Sequence, residues 1–346
     1  MASQLPTIMK VVHQPDPQSS HLVLEEGPLP EIRGDDECLV RIHTACPCLG
    51  ELYWQKYFPS FYPADYEAIP CTEAAGVIAQ IPENDAWSSS SFKVGDEVYF
   101  RLDVGQPGNL REYSVCRLAQ LAHKPKNMSW VEAGATPLSS LTAWQGLFQH
   151  GVLNDKAIFG DAAARSANGK LSVLVTGASG VVGVWAVQLA ALAGAGRIVG
   201  LCSGAEAANV RKFGATDVID YKSQSVAEWA AEDPTGERQV DLVLDCVGGK
   251  TLASCWAVMR SGGTLLSVSG NPIDEKPAEC TTPLKEAKWF LVEPKGAQLA
   301  EITKLVEDDK CVTKVDSAVS LADFQKAFDK VEERRAKGKV VVKIME

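Results

Sequence analysis

Three evenly spaced glycines form a turn whose residue types suit the binding of a phosphate group. The turn reads Gly177-Ala178-Ser179-Gly180-Val181-Val182-Gly183 and follows the apolar run 171–176. Glycines let a backbone approach a pyrophosphate without a Cβ atom in the way, and the N–H groups at the start of the following helix favour an anion. The spacing is G-x-x-G-x-x-G rather than the usual G-x-G-x-x-G. We interpret it as the phosphate-binding turn of a dinucleotide site; the alternative is a structural turn in which Gly183 packs the helix on the strand.

The end of the next strand bears on which dinucleotide would bind. An acid about 20 residues after the glycines would bind the ribose 2′-hydroxyl of NAD. This strand instead ends at 200–204 without an acid, while Ser203 can donate to a 2′-phosphate and Arg211 adds a positive charge on the following helix. The pattern favours NADPH. The alternative is that Arg211 only faces solvent, as most helix arginines do.

The glycine turn stands at the head of an alternating series of strands and helices. Apolar runs predict strands at 171–176, 197–201, 217–220, 240–245 and 263–269. Helical patterns lie between them at 181–193, 205–213, 225–231 and 249–258. This alternation indicates βαβ units and a parallel sheet. The charge-free stretch 171–196 is long enough to cross a bilayer, but the turn at its centre favours strand, turn and helix over a membrane span.

The rest of the chain is patterned differently. Short apolar runs bounded by turn residues predict β-structure in the first third, at 9–12, 38–42, 75–79 and 98–100. Ser129 and Glu132 form a capping-box pattern. Further helices are predicted at 139–148, 296–307 and 321–335, and a last strand at 338–344. The aromatic, proline-rich segment 53–70 is predicted to be an irregular binding loop, and 155–170 to be flexible.

Composition limits the partners and the compartment. The 346 residues are enough for two domains. They include 44 acidic and 34 basic side chains, a net charge of −10 that disfavours nucleic acid as a partner. The ten cysteines contain no C-x-x-C pair, and the chain begins without the apolar core of a secretory signal. We therefore expect free thiols, mostly buried, in the cytoplasm, and no membrane partner.

With these motifs in order, the sequence resembles the medium-chain dehydrogenase/reductase superfamily over nearly its whole length. Besides the glycine turn, the matching segments are FKVGDEV (92–98), VQLA (187–190), FGATDVIDY (213–221), DCVGG (245–249), GGT (262–264) and GKVV (338–341). The resemblance implies an α/β fold with two domains. A Rossmann doubly wound parallel sheet would occupy 139–290, and a GroES-like, mostly β catalytic domain would form from 1–138 and 291–346. Members are often homodimers through an edge strand, here 263–269, and some are monomers, so either state is expected.

Zinc-dependent members of that superfamily hold a catalytic zinc on a Cys, a His-Glu pair and a further ligand. Cys48 falls at the first position, but Thr72 replaces the His before Glu73, and threonine is a poor zinc ligand. The four-cysteine lobe of a structural zinc is also missing, because 100–111 contains no Cys. The sequence is thus similar to the zinc-free branch of quinone oxidoreductases and enoyl reductases. The alternative is an irregular metal site of Cys48, Cys71 and Glu73.

Two further features resemble members that work in fungal secondary metabolism, including trans-acting enoyl reductases. These features are the ending at 289–294 and the long insertion at 155–170. Such members commonly carry Asn-Pro-x-Asp where this chain has Cys-Leu-Gly-Glu at 48–51.

The topology of the family implies a role for individual residues in holding NADPH. The predicted cofactor-binding residues are Cys48; Thr142 near the nicotinamide or its ribose; Ser179, Gly180, Val181 and Val182 on the pyrophosphate; Ser203, Arg211 and Tyr221 around the 2′-phosphate; the backbone of Val247 and Ser269 beside the ribose and nicotinamide; and Lys339 closing on the cofactor. Thr142 is also a candidate catalytic residue, and Tyr57 and Tyr62 are candidate proton donors. The alternative for both tyrosines is an apolar wall for the substrate. No residue is predicted to hold a metal.

The residue set favours reduction of a polarised C=C bond. Hydride delivery to the β-carbon of an enone or enoyl thioester needs no metal, because a hydrogen-bond donor can stabilise the enolate. A side chain or water would then protonate the α-carbon. The expected substrate is a small, largely apolar unsaturated carbonyl compound, free or carrier-bound. The alternatives are a quinone reductase, an alcohol dehydrogenase with an irregular zinc site, and a catalytically silent NADPH-binding sensor or scaffold.

Overall fold

The computed structural model describes residues 5–345. The strands of this part are β1 (Ile8–His13), β2 (Val23–Pro28), β3 (Glu37–Cys46), β4 (Glu73–Gln80), β5 (Glu97–Arg101), β6 (Tyr113–Arg117), β7 (Leu121–His123), β8 (Ser172–Thr176), β9 (Arg197–Cys202), β10 (Asp217–Asp220), β11 (Val240–Asp245), β12 (Met259–Ser267), β13 (Glu286–Trp289), β14 (Val315–Ser320) and β15 (Lys339–Lys343). The helices are α1 (Trp54–Tyr57), α2 (Asp85–Ser88), α3 (Trp130–Gly134), α4 (Pro137–Trp144), α5 (Ala162–Asn168), α6 (Val181–Leu192), α7 (Ala207–Lys212), α8 (Val226–Ala231), α9 (Gly249–Cys255), α10 (Gly296–Glu307) and α11 (Phe324–Glu332).

The chain divides into two compact units. The first combines both ends of the chain, Met1–Leu141 and Glu293–Glu346, and the second is the continuous segment Thr142–Val292. These boundaries lie within a few residues of the predicted ones, 138 and 291. Each unit has a sheet and a buried apolar core of its own.

The second unit is a six-stranded parallel sheet in the order β10-β9-β8-β11-β12-β13. Its central strands β8 and β11 are apolar on both faces, as expected where helices cover both sides of a parallel sheet. This is the predicted Rossmann-type arrangement. The strand predicted at 263–269 is not at the edge, since β13 pairs with it in the register Thr264 to Glu286. The expectation that 263–269 is an edge strand was therefore wrong, and β13 forms that edge of the sheet.

The first unit is mostly β-structure. A seven-stranded sheet runs β14-β15-β3-β4-β5-β7, with β6 paired to β3, and β1 and β2 form a separate antiparallel pair. The carboxyl-terminal strand β15 pairs with β3 through Val342 and Ala45, so the two ends of the chain share one sheet. This is the expected GroES-like domain. The β-runs predicted for the first third of the chain all lie within β1, β3, β4 and β5.

Helix starts follow the predicted signals, while several helix ends differ. Ser129 caps α3 and exchanges hydrogen bonds with Glu132, which confirms the capping box. The helix predicted at 139–148 is α4 followed by a π-helical turn, Gln145–Gln149. Three predicted helices instead begin or end in a 3₁₀ turn, at Gly204–Glu206, Trp256–Val258 and Leu321–Asp323. These are terminal turns, where the tighter hydrogen-bond pattern is common.

The prediction of a flexible stretch at 155–170 was wrong. It forms a 3₁₀ turn, Asp155–Phe159, and α5. Asp161 accepts a hydrogen bond from the N–H of Ala164 at 2.9 Å, and Asn154 and Asn168 are joined by two hydrogen bonds. The Asp and Asn residues that indicated a loop cap and cross-link short helical turns, because their side chains satisfy backbone groups at helix ends.

The charge-free stretch 171–196 contains β8, the glycine turn and α6, as predicted. Within residues 5–345, no helix combines the length and apolar character needed to cross a membrane. All ten cysteines are free thiols, seven of them buried, as the composition indicated.

Candidate active site

The glycine turn between β8 and α6 has the geometry of a phosphate cradle. Gly177 has φ +58°, in the region that favours glycine. A Cβ atom on Gly183 would lie 2.2 Å from the carbonyl oxygen of Gly177, so a side chain there would clash. Gly180 is the N-cap of α6, and no side chain caps the first N–H groups, which have no acceptor within the helix. The turn therefore fits a pyrophosphate at the predicted residues Ser179, Gly180, Val181 and Val182.

Asp245, at the end of β11, ties three strand ends together beside that turn. Its buried carboxylate accepts hydrogen bonds from Thr176 Oγ1 at 2.6 Å and from Ser267 Oγ at 2.7 Å. It also accepts from the N–H groups of Val247 at 3.2 Å and Gly248 at 3.0 Å. Asp245 thereby fixes the loop that carries the predicted residue Val247. Asp245 was predicted only as part of the DCVGG segment; its signal was an acid at the end of the apolar run 242–244.

The predicted Ser269 lies on the loop after β12. Its backbone N–H donates to Ser267 Oγ at 3.0 Å, which links this loop to the same carboxylate network. A Cβ atom on Gly248 would contact the Cβ of Ser269 at 3.2 Å, so the loops after β11 and β12 are close neighbours. The structure thus brings Val247 and Ser269 to one edge of the sheet, together with the glycine turn.

The three residues predicted around the 2′-phosphate fall in two places. Ser203 follows β9, and the N–H of Tyr221 donates to the carbonyl of Cys202 at 3.1 Å, so these two residues lie at adjacent strand ends. The Tyr221 ring is exposed. Arg211 instead donates to the carbonyl of Thr216 at 2.6 Å and so closes the loop after its own helix.

An acid that the sequence analysis did not consider also lies beside Ser203. A Cβ atom on Gly204 would be 2.5 Å from Oδ2 of Asp220, at the end of the neighbouring strand β10. The other carboxylate oxygen of Asp220 accepts from the N–H of Lys222 at 3.0 Å. Asp220 was not predicted because the known pattern places the acid at the end of the second strand, whereas parallel pairing brings the end of the third strand alongside it.

Thr142 lies on α4 and is buried. It is the first residue of the second unit. Its predicted place near the nicotinamide remains a prediction. The π-helical turn that directly follows α4 is an irregularity often found at functional sites.

In the first unit, two buried carboxylates lie near Cys48. Glu51 accepts hydrogen bonds from the N–H groups of Cys48 at 2.9 Å and Cys71 at 3.1 Å. Its burial raises the pKa of this carboxyl to about 8, despite those two bonds. Cys71 has φ +71°, an uncommon conformation for a residue with a side chain. Burial also raises the pKa of the Cys48 thiol to about 12, so it is not a thiolate at neutral pH.

The second carboxylate, Glu73, is fully buried and forms an ion pair with Lys339. Its other oxygen accepts from the N–H of Leu138 at 2.8 Å. Burial by itself would lower the pKa of Lys339, but the negative charge of Glu73 outweighs this and raises it. Lys339 was predicted to close on the cofactor; the structure gives it Glu73 as its partner, and the lysine side chain is only 5% exposed.

These residues do not fit a catalytic zinc. A zinc site needs deprotonated thiolate, imidazole or carboxylate ligands. Thr72 stands in the imidazole position, and Glu73 is already paired with Lys339. Among residues 5–345, no three His, Cys, Asp or Glu side chains are arranged so that they could hold a metal ion.

A cavity next to Glu51 receives one of the two candidate tyrosines. It is small, with a volume of about 20 Å³, and Glu51, Tyr62 and Thr72 line it together with polar and apolar side chains of the 51–70 segment. Burial raises the pKa of the Tyr62 phenol, so this group keeps its proton. Tyr57, on α1, is 65% exposed and does not line the cavity. The segment 53–70, predicted to be irregular, contains the end of the 3₁₀ turn Glu51–Tyr53, α1 and the 3₁₀ turn Pro59–Phe61, and is otherwise without regular structure.

Arg101 is a buried cation that the sequence analysis missed. It ends β5 directly across from Glu73 on β4 and is 1% exposed. Its Nε and Nη1 atoms are buried and have no hydrogen-bond partner among the described residues. Electrostatic interactions couple it to Cys48, Glu73, Tyr62 and Asp103. Arg101 follows the strand predicted at 98–100. Because arginines are mostly exposed, nothing in the sequence indicated that this one is buried.

Two family descriptions match the chain. An alcohol dehydrogenase GroES-like domain matches residues 34–136, and a zinc-binding dehydrogenase domain matches residues 213–342. The chain is 39% identical, over 99% of both sequences, to a protein of Arthroderma benhamiae named "Probable zinc-binding oxidoreductase, mitochondrial". It is 31% identical, over 92% of both sequences, to the chloroplastic quinone-oxidoreductase QR1 of Triphysaria versicolor.

Solved structures of related proteins have the same fold. An alcohol dehydrogenase superfamily protein from Novosphingobium aromaticivorans has a TM-score of 0.78 and 25% identity, covering 98% of this chain and all of that one. A quinone oxidoreductase from Coxiella burnetii shares the fold at a TM-score of 0.79 with 20% identity, covering 98% and 100% of the two chains. The chain belongs to the medium-chain dehydrogenase/reductase superfamily, as an NAD(P)H-dependent oxidoreductase of the quinone oxidoreductase type.

Proposed function

We propose that this protein is an NADPH-dependent reductase of activated C=C bonds that works without zinc. The observation that carries the proposal is the buried ion pair of Glu73 and Lys339, with Thr72 beside it, where zinc-dependent relatives place their metal ligands. Alcohol oxidation in those relatives relies on zinc to stabilise an alkoxide. An enone or enoyl thioester is already polarised, so its reduction needs only a hydride and a donor near the carbonyl oxygen.

The preference for NADPH is supported by the polar groups at the ends of β9 and β10. Ser203 can donate to a 2′-phosphate, and the exposed ring of Tyr221 lies at the adjacent strand end. Asp220 opposes this preference by its charge, but one of its oxygens already accepts from the N–H of Lys222. The guanidinium of Arg211 donates a hydrogen bond to the carbonyl of Thr216, so Arg211 contributes its positive charge to this site from a distance.

The bound nicotinamide would supply the hydride in this reaction. The expected acceptor is a small, largely apolar unsaturated carbonyl compound, and the aromatic segment 53–70 is proposed to supply apolar contacts to it. The Tyr62 phenol keeps its proton and can donate it to the α-carbon. Thr142 is proposed to position the nicotinamide ring. We propose that the acceptor is free or carrier-bound. We also propose that the reaction belongs to secondary metabolism and takes place in the cytoplasm.

A quinone reductase is the second candidate. It is favoured by the name of the relative from Triphysaria versicolor, which is 31% identical over 92% of this chain. Both candidates use the same cofactor. They differ in the electrons transferred at each step, because a quinone that accepts single electrons leaves a semiquinone radical and an enone does not.

The deciding experiment is a titration of purified, metal-assayed protein with NADPH and NADH, followed by turnover with an enone, an enoyl thioester and a quinone. We expect tighter binding of NADPH, zinc well below one atom per chain, and turnover of the enone or thioester unaffected by a chelator. Turnover of the quinone alone would favour the second candidate. Stoichiometric zinc that is lost together with activity would refute the zinc-free reaction, and cofactor binding without any turnover would indicate a sensor or scaffold.

A further inference from the structure

The small cavity of the first unit has the size of a water site. Its volume of about 20 Å³, counted for the centre of a water molecule, exceeds the roughly 10–15 Å³ that one buried water needs. An organic acceptor cannot enter a space of this size. Glu51, Gln55, Tyr62 and Thr72 are among the residues that line the cavity, and all four belong to the same compact unit. Water is therefore the ligand that fits it.

Two polar atoms in the lining of this cavity are buried and have no hydrogen-bond partner. They are the hydroxyl oxygen of Thr72 and the side-chain carbonyl oxygen of Gln55, and neither forms a hydrogen bond within residues 5–345. Thr72 as a whole is only 7% exposed. Unpaired buried polar atoms destabilise a fold, and ordered waters commonly supply the missing partner.

The carboxyl group of Glu51 lies near both of these residues. One of its oxygens accepts from the N–H of Cys71, the residue before Thr72, at 3.1 Å. Gln55 follows Glu51 by four residues along the continuous turns Glu51–Tyr53 and α1, a spacing at which helical side chains are neighbours. Burial raises the pKa of Glu51 to about 8, so the carboxyl group keeps its proton at neutral pH. Both hydrogen bonds of Glu51 within the described residues use its oxygens as acceptors, so its O–H group also needs a partner.

One water molecule satisfies all three groups. It accepts from the O–H of Glu51, donates to the carbonyl oxygen of Gln55 and shares a hydrogen bond with the hydroxyl of Thr72. Buried waters usually have two to four polar partners. Tyr62 lines the same cavity, and the charge of Glu51 acts on its phenol, so the phenol oxygen is available as the fourth partner.

We propose that the cavity is a water site, and that its water carries a proton from Glu51 to Tyr62 as Tyr62 protonates the substrate. This inference rests on the proposed function. After the β-carbon has accepted the hydride, the O–H bond of Tyr62 breaks and a C–H bond forms at the α-carbon. The water gives a proton to the phenol oxygen and takes one from Glu51, so the negative charge ends on the Glu51 carboxylate. Solvent returns a proton to Glu51 before the next turnover.

This transfer is favourable because of the difference between the two acids. Burial raises the pKa of the Tyr62 phenol above its usual value, so a phenolate at this place is a strong base. The Glu51 carboxylate is a weaker base and is stabilised by the N–H groups of Cys48 and Cys71. The relay therefore makes a poor acid effective. The acceptor stays outside the cavity and meets the phenol of Tyr62, which is only half-buried.

Other titratable groups also act on Glu51. They are Lys339 and Glu73, the thiols of Cys46, Cys48 and Cys71, the phenols of Tyr62 and Tyr66, and Glu332, which accepts from the N–H of Gly50. Lys339 and Glu73 are paired with each other. Burial raises the pKa values of these thiols and phenols, so they stay protonated up to pH 9. A loss of activity near pH 8 is therefore expected from Glu51.

The first test needs no turnover. A crystal structure of the wild-type protein should contain one ordered water within about 3.2 Å of Thr72 Oγ1, of Gln55 Oε1 and of a Glu51 oxygen, with the Tyr62 hydroxyl also in reach. A direct hydrogen bond between Glu51 and Gln55 with no water between them would overturn the proposal. A water that does not reach Tyr62 would overturn it too.

The second test measures kcat for a neutral enone between pH 6 and 9. Wild-type kcat should fall above about pH 8, where Glu51 loses its proton. Glu51→Gln has no proton to give, so kcat at pH 7 should be lower by about tenfold or more, and the fall above pH 8 should be absent. Glu83, exposed in the same unit, supplies the control, and Glu83→Gln should leave both readings unchanged. A lower kcat with the wild-type pH profile would indicate a structural role and refute the relay.

The third test keeps Glu51 and removes a partner of the water. Thr72→Val preserves the shape of the side chain but lacks the hydroxyl. Wild-type kcat should depend on the deuterium fraction of the solvent along a curve, because more than one proton moves in the same step. Thr72→Val should give a straight line and a lower kcat, with an unchanged far-UV circular dichroism spectrum. A straight line for the wild-type protein would refute the relay.

The outcomes separate this inference from the proposed function. If the wild-type protein reduces no enone, enoyl thioester or quinone, the proposed function fails, and the relay fails with it even if the water is present. If the wild-type protein reduces the enone and Glu51→Gln does so equally well, the proposed function stands and the relay is refuted.

Discussion

Replacing Lys339 by Met tests whether this lysine serves the fold or the cofactor. Its ammonium is buried and paired with Glu73, which is itself fully buried. In the Lys339→Met variant Glu73 keeps a single donor, the N–H of Leu138. Breaking a buried ion pair from one side costs about 3–5 kcal/mol of the free energy of unfolding, because the remaining charge has no counterpart.

The double variant Glu73→Gln/Lys339→Met supplies the matched control. It removes both charges, and replacing a whole buried pair by neutral groups is often close to neutral in stability. We therefore expect the double variant to be more stable than either single variant, with a coupling free energy above about 3 kcal/mol in the cycle. Direct NADPH titration of the same proteins gives the second reading, which should change by less than about twofold.

Urea unfolding followed by far-UV circular dichroism measures the four proteins of the cycle. Because the chain has two compact units, separate transitions are fitted where two are resolved, and the effect should fall on one of them. Additive single-variant losses, within about 0.5 kcal/mol, would refute the ion-pair reasoning. A Lys339→Met variant of unchanged stability that binds NADPH tenfold more weakly would instead support the cofactor contact predicted from sequence.

Three further predictions follow from the site. Ser203→Asp places a carboxylate where the 2′-phosphate is proposed to bind. In a fluorescence titration it should raise the Kd for NADPH about tenfold or more and the Kd for NADH by less than about twofold. Equal changes in the two Kd values would refute the assignment of Ser203 to the 2′-phosphate. Tyr57→Phe should change kcat less than about twofold, because Tyr57 lies outside the cavity, whereas Tyr62→Phe should lower kcat at least about tenfold. If both variants change kcat only slightly, neither tyrosine is the proton donor, and both serve as apolar contacts for the substrate. The raised pKa of Glu51, about 8 against 4.5, means that the folded state holds its proton where the unfolded state has lost it. Stability should therefore fall as pH rises from about 5 towards 9, by up to about 4–5 kcal/mol from this group alone, and Glu51→Gln should flatten the dependence of the urea midpoint on pH.

The Rossmann unit could be read from the sequence because its signals are local. Strand patterns of four to seven residues mark five of the six strands, and the glycines at 177, 180 and 183 mark the turn after the first of them; β13, with the sequence EAKW, has no apolar run and was not predicted. Parallel strands place their carboxyl ends at one edge, so Ser179, Ser203, Tyr221, Val247 and Ser269 could be assigned to that edge without coordinates. The helix ends and the ordered turns of 155–170 could not, because capping side chains and loop side chains are the same residue types.

Pairing across the sheets was decided only by the tertiary structure. Glu73, Arg101 and Lys339 lie far apart in the chain, and no periodicity connects them. The register of β4 with β5 sets Arg101 opposite Glu73. Folding of the carboxyl-terminal strand into the same sheet brings Lys339 to the carboxylate of Glu73. Asp220 beside Gly204 is a second case, since it depends on the pairing of β9 with β10. The sequence by itself determined the family, the domain order and the residues that can cradle a phosphate, because those depend on short segments. Which charges are buried, and which of them remain unpaired, depends on contacts between segments distant in the chain and was therefore visible only in the fold.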